Sequence, residues 1–132
     1  MTEKKIFTTG AVVIVLAVIL GALAAHALEK VLNADQLESF KTGVQYQMYH
    51  GIALLIIAST PFLETAEKKI TFYLFLTGTI LFSISIYALV CAPLIDLDLW
   101  FLGPVTPVGG LLLITGWVYI IVKICRTNTL SK

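Results

Sequence analysis

Charge is what this chain has least of. Only 13% of its 132 residues are Asp, Glu, Lys or Arg, and the formal net charge is +1. So thin a balance excludes an electrostatic footprint for nucleic acid and leaves no basic or acidic tract for a charged partner. Histidine and cysteine are scarce too, with two of each. CxxC pairs, zinc-ligand spacings and a terminal CaaX box are all missing, so no metal, no other cofactor and no prenylation is predicted. Cys91 and Cys125 fall at opposite ends of two apolar segments, roughly 30 Å apart across a hydrocarbon layer. That is too far for a disulfide, and both read as small apolar fillers. No nucleophile, base and orienting group occur as a set, so catalysis is not predicted.

Against these absences stands an excess of oil. Hydrophobic residues make up 58% of the chain, and its mean hydropathy of +0.94 is incompatible with an ordinary water-soluble domain. A spanning helix takes about 20 apolar residues, so this length holds four spans with short connections and no separate soluble domain. The expected fold is all-α: one integral membrane four-helix bundle, with membrane lipids as its first partners.

Apolar runs place the spans at about 6–28, 43–61, 70–91 and 106–125. The end of the first, Ala22-Leu23-Ala24-Ala25-His26-Ala27, imitates a signal-peptidase site behind a basic head. Its length and the small residues Ala17, Gly21 and Ala25 at every fourth position argue instead for a retained helix that packs closely in lipid. Between the first two spans, Asn33 and Gln36 form a capping-box pattern. Leu37, Phe40 and Val44 then make an apolar stripe opposite Asp35, Glu38 and Lys41, so 34–42 reads as a short interfacial amphipathic helix leading into the second span. Pro61 ends that span, and 62–69 reads as a polar turn. Pro93 breaks the third span before a loop with Trp100 and Phe101, residues suited to the headgroup layer. Pro107 then falls in the first turn of the fourth span, where its missing N–H is tolerated.

Four spans put both termini on one side. That side carries Lys4, Lys5, Lys68, Lys69, Lys123, Arg126 and Lys132; the other carries Lys30 and Lys41. Seven against two predicts cytoplasmic termini in the cell membrane.

Polar residues inside apolar helices mark the candidate site, because hydrocarbon offers them no partner. Gly43, Gln47 and Gly51 share a face of the second span, flanked by Tyr46 and His50. Thr79, Ser83 and Tyr87 share a face of the third, with Ser85 looking elsewhere, and Thr106 opens the fourth. Counted from Gly43 as the outer end, Gln47 and His50 fall in the outer half of the membrane, as do His26, Tyr87 and Thr106. The serines and threonines can bond their own helix backbone. The histidines can lock the bundle through Tyr or Gln partners. Alternatively they can handle protons, bind haem, or donate to the headgroup of a bound amphiphile. For haem, the depth count separates the two imidazoles by about 7 Å along the membrane normal, which disfavours shared axial ligation. Candidate ligand-binding residues are therefore His26, Tyr46, Gln47, His50, Ser83, Tyr87 and Thr106. The small-residue faces also suit a second copy or another membrane protein, which leaves a structural or assembly role open beside ligand binding, with an electron-transfer or quinone-associated subunit as a third reading.

Gly21-Ala22-Leu23-Ala24-Ala25-His26-Ala27-Leu28 followed by Phe40-Lys41-Thr42-Gly43-Val44-Gln45-Tyr46-Gln47-Met48-Tyr49-His50 resembles the paired hallmarks of the domain-of-unknown-function 423 family. Leu81-Phe82-Ser83-Ile84-Ser85-Ile86-Tyr87, Thr106-Pro107-Val108-Gly109-Gly110 and Gly116-Trp117 resemble its later motifs, in the same order. The resemblance implies a four-helix multi-pass protein of the bacterial cytoplasmic membrane with relatives in animal cells. It implies retention of the first helix and brings no substrate. Ala24 stands where many members have glycine, and Ile84 where a small residue is frequent, which would fill part of any cavity.

Overall fold

A computed structural model describes residues 2–127; Met1 of the basic head and Lys132 of the charge count lie outside them. The chain forms α1 (Glu3–His26), α2 (Ala34–Ser59), α3 (Thr65–Thr79), a π-helical turn (Ile80–Ile84), α4 (Ser85–Cys91) and α5 (Val105–Thr127). Short 3-10 turns occupy Leu28–Lys30, Ala92–Ile95 and Trp100–Leu102. Because α3, the π turn and α4 run on without a break, the bundle has four rods, and among the described residues there is no strand.

The capping pattern at Asn33 is real: its side chain accepts the Gln36 N–H at 2.9 Å while Gln36 accepts the Asn33 N–H at 3.0 Å. This box opens a single helix of 26 residues, so the amphipathic segment is the first part of α2. At the other end, the polar turn is shorter than the charge pattern implied. Helix α3 already begins at Thr65, because Glu64 and Glu67 form a second capping box. Glu67, Lys68 and Lys69 therefore ride on its first turns, where an acidic residue suits the exposed N–H groups.

The rods pack in two hairpins. Helix α1 lies along α2 and α5 lies along α3, while α2 meets α3 and α4 across a seam between the pairs. Within each hairpin, glycine sets the approach. A Cβ on Gly10 would lie 2.9 Å from the Gly51 carbonyl oxygen, and one on Gly109 only 2.4 Å from the Phe82 backbone nitrogen in the π turn. Lipid tails supply no hydrophobic drive between helices, so this close backbone packing is a principal source of cohesion. On α1 the buried small positions are Gly10, Ala17 and Ala24, whereas Ala25 is exposed. The stripe expected at every fourth residue is thus a seven-residue repeat, as shallow helix crossing requires.

Apolar cores fill both ends of the bundle. One gathers Ile6, Leu54, Phe75 and Leu113; the other gathers Ala24, Leu32, Phe40 and Val90. The outside is equally apolar, with Val15, Val18, Ile56, Leu111 and Ile114 each more than half exposed. Three rods, Glu3–Lys30, Thr65–Ile95 and Trp100–Arg126, are long and apolar enough to cross a membrane. Helix α2 matches them in length but carries the polar residues, and its glycine and glutamine face is turned inward: Gly43, Gln47 and Gly51 are all buried.

Candidate functional site

Between the two apolar cores lies a layer of polar side chains, and three of their hydrogen bonds cross between the pairs. Gln47 is the hub. Its Nε2 donates to the Val13 carbonyl of α1 at 3.0 Å, and its Oε1 accepts the Tyr87 hydroxyl of α4 at 2.8 Å. One amide thereby ties three helices. Ser83 donates to the Gly43 carbonyl at 2.8 Å, one turn before Gln47 in α2. This is a correction to the expectation that Ser83 satisfies its own helix, and the cause is local: Gly43 has no side chain to cover its carbonyl, and the Tyr87 ring fills the space instead.

Ser85 does look elsewhere. Its hydroxyl lies 2.6 Å from Thr106 Oγ1 on α5 and donates to the Phe82 carbonyl. Thr106 therefore belongs to the α4–α5 contact and not to the Gln47 group. Thr79 is the exception in the layer: it is buried at 6% exposure, and its hydroxyl has no hydrogen-bond partner.

His50 occupies a second group, toward α5. Its Nδ1 lies 2.8 Å from the Tyr46 carbonyl. A carbonyl can only accept, so Nδ1 carries the proton and Nε2 is left as an acceptor. Trp117 Nε1 donates to that Nε2 at 3.2 Å. The imidazole is neutral and fully engaged, with Phe75 edge-on at 5.0 Å and Tyr46 alongside at 6.2 Å. Tyr46 in turn stacks on Phe82 at 4.5 Å. The bond to His50 ties Trp117 to α2 while its side chain stays 45% exposed. No residue pattern announces a Trp–His contact 67 positions apart.

His26 joins neither group. It is exposed in the last turn of α1. Gly51, next to His50, abuts Ile14, and twelve helical residues separate Ile14 from His26, about 18 Å of axial rise. The two histidines do not share a site, and the 7 Å axial separation counted from sequence is too small. The miscount arose from taking Gly43 as the start of the second span. Because α2 begins at Ala34, Gln47 is about 20 Å along it, and the Val13 that it touches is near the midpoint of α1. That moves the cluster from the outer half to the middle of the bundle.

Two cavities open along the seam. One, of about 250 Å³, lies between α1 and the α3–α4 rod, with Gln47, Thr79 and Tyr87 among its lining residues; Ile84 stands in its wall. The other, of about 650 Å³, lies between α2 and α5 against Tyr46, Tyr49, His50 and Trp117. Among the described residues, no three His, Cys, Asp or Glu side chains converge as metal ligands.

Lys68 was counted in sequence only as a surface charge. It is 5% exposed, and its Nζ donates to Glu3 Oε1 at 2.5 Å and to the Ala58 carbonyl at 3.2 Å. It pins α1, α2 and α3 together at one end of the bundle. The only sequence signal was its place at the first turn of α3, obscured by reading 62–69 as a loop.

A bundle of long helices, apolar outside and polar only at mid-depth and at its ends, is a multi-pass integral membrane protein. Within that class the chain belongs to the family described as protein of unknown function (DUF423), whose model matches residues 20–110. A UPF0382 membrane protein of Haemophilus influenzae is 38% identical over 101 residues, covering 76% of this chain and 77% of the relative. The UPF0382 inner membrane protein YgdD of Escherichia coli is 33% identical over 132 residues, covering 96% and 93%. A fission yeast relative, from Schizosaccharomyces pombe, is 36% identical over 118 residues, covering 89% and 98%, and is also named a UPF0382 membrane protein. No solved structure matches the chain.

Proposed function

We propose that this membrane protein binds a membrane-dissolved amphiphile in the cavity between α1 and the α3–α4 rod. The carrying observation is the cavity itself, about 250 Å³ and lined mainly by apolar side chains, with Gln47, Thr79 and Tyr87 among its lining residues. Gln47 and Tyr87 stand beside it, already locked by their mutual bond and so held in fixed positions. The rim residues Leu16, Ile19, Ile80 and Ile84 are apolar, so a ligand can enter from the lipid and leave its chain against them. His26 and Thr106 have no part in this site, and Tyr46 and His50 belong to the opposite side of the seam.

The experiment is native mass spectrometry of protein extracted gently from its own membrane. Wild type should retain a bound species of defined mass. Ile84→Trp, which fills the cavity from its wall, should lose it, and Ile84→Ala should keep it. A wild-type spectrum empty of any such species would remove the proposal.

The assembly alternative has less support. Gly10, Gly51, Gly78 and Gly109 contact each other's helices within the chain, so these faces are not available to a partner. The orientation with both termini cytoplasmic follows from the seven-to-two distribution of Lys and Arg, and cysteine-accessibility labelling of the termini tests it.

A further inference from the structure

Resting on that reading, we infer that the amphiphile is an anionic phospholipid, with one acyl chain in the cavity between α1 and the α3–α4 rod and its phosphate against Lys4 and Lys5. Helices α1 and α3 both pack on α2 but scarcely on each other, which leaves a furrow between them. Besides the cavity of about 250 Å³, that furrow holds a second hollow of about 510 Å³ at its N-terminal end, where Lys4, Lys5 and Thr9 of α1 face Phe72 of α3. The two spaces are neighbours on both walls. Thr9 of the hollow and Val13 of the cavity are one turn apart on α1, and Phe72 and Leu76 are one turn apart on α3.

Their chemistries are opposite. The cavity presents an almost wholly apolar surface, since the Thr79 hydroxyl is sealed within the protein and Gln47 is bonded to Tyr87. Such a surface suits a hydrocarbon chain. The hollow instead carries two ammonium groups, and among the described residues no carboxylate lines it or pairs with either lysine. Glu3, their acidic neighbour in sequence, is already held by Lys68. Two uncompensated cations select an anionic headgroup and repel one that bears a quaternary ammonium.

Depth joins the two halves of the ligand. Val13, near the midpoint of α1, is eight residues from Lys5 and nine from Lys4, about 12–14 Å. Half of the hydrocarbon core is about 15 Å thick, so both lysines leave the helix close to its boundary and their stems carry the charges to phosphate level. Measured from Lys5, Val13 and Leu16 of the cavity lie about 12 and 17 Å along the helix. One leaflet's tails fill about the same depth. A phospholipid with its phosphate at the lysines therefore brings the end of a chain to the cavity.

The test titrates the delipidated full chain, in dodecyl maltoside micelles, with palmitoyl-oleoyl phosphatidylglycerol and with palmitoyl-oleoyl phosphatidylcholine, counting adducts by native mass spectrometry. Phosphatidylglycerol should bind one to one and about tenfold or more tightly than phosphatidylcholine. Lys4→Gln and Lys5→Gln should each weaken it about fivefold, the worth of one lysine beside an anionic headgroup. Lys69→Gln, which removes an exposed charge from the same end without touching the hollow, should leave it within about twofold. Ile84→Trp should weaken both lipids, and Ile84→Ala neither. Helical circular dichroism on heating should be unchanged by the lysine substitutions, which separates lost binding from lost fold. Equal binding of the two lipids, or equal effects of Lys4→Gln, Lys5→Gln and Lys69→Gln, would overturn the phosphate site while leaving amphiphile binding standing. Displacement of the lipid by an equal concentration of inorganic phosphate would reassign the hollow to a free anion and overturn the lipid. Phosphatidylglycerol sensitive to the lysines but indifferent to a folded Ile84→Trp would overturn the cavity reading instead, and absence of any adduct would overturn both.

Discussion

Replacing Gly109 with alanine tests the hairpin packing most directly. The added Cβ would lie 2.4 Å from the Phe82 nitrogen, 2.8 Å from the Phe82 Cα and 2.9 Å from the Gly78 carbonyl oxygen. All three obstacles are backbone, so no side chain can rotate away, and α5 must retreat by about 1 Å to reach ordinary contact. Overpacking of this kind costs about 1–3 kcal/mol, and rigid obstacles place Gly109→Ala toward the upper end. The neighbouring Gly110→Ala is the control, since its Cβ would meet only the Phe82 ring at 3.7 Å. Both substitutions gain the same helix propensity, up to about 1 kcal/mol, so that contribution cancels in the comparison. Stability is read by titrating sodium dodecyl sulfate into mixed micelles and following helical circular dichroism. Gly110→Ala should match or exceed wild type, and Gly109→Ala should fall below it by about 2–3 kcal/mol. Equal stability of the two variants would refute direct packing of α5 on the π turn.

Three further outcomes are expected. Gln47→Leu strands the Tyr87 hydroxyl and unties α1 from α4, costing about 1–2 kcal/mol in the same titration; an unchanged midpoint would mean that the hub carries no stability. Glu3→Gln keeps an acceptor oxygen but removes the negative charge facing the buried Lys68 ammonium, and because Glu3 is largely exposed the expected loss is about 1 kcal/mol, absent in the Lys68→Met background if the pair is responsible. At the same end, the Glu64 N–H and Lys123 hold the Glu67 carboxyl below the ordinary carboxylate range. The folded state therefore favours ionised Glu67: its contribution is complete above the ordinary range and is lost as pH falls through it toward the lowered value. Glu67→Gln should flatten that acid limb, and superimposable pH curves for variant and wild type would dismiss the contribution.

Much of the scaffold could be read from local pattern. The Asn33–Gln36 capping box, the stop before Pro61 and the shared face of Gly43, Gln47 and Gly51 all depend on residues within two or three turns of each other, and they stand in the structure. The same holds for Thr79, Ser83 and Tyr87 on one face with Ser85 on another. What failed needed knowledge of which faces meet. Ser83 reaching the Gly43 carbonyl, Trp117 reaching His50 and the burial of Lys68 are contacts between separate helices with no periodic trace. The π turn is similarly silent, since the shift of register that one extra residue brings leaves no mark on a segment as apolar as 80–84. His26 and His50 looked paired only because a misplaced helix start compressed the distance between them.

The arrangement in hairpins bears on how the protein reaches its fold. Glycine contacts hold α1 to α2 and α3 to α5, each pair being adjacent among the rods in chain order, while the bonds from Ser83, Tyr87 and Trp117 form only when the pairs meet. Each hairpin can then enter the bilayer and close on itself during synthesis, with lateral docking left as a late, separable event. A chain divided at the 60–64 connection and produced as two pieces should reassemble in the membrane, its polar layer serving as the recognition code between halves.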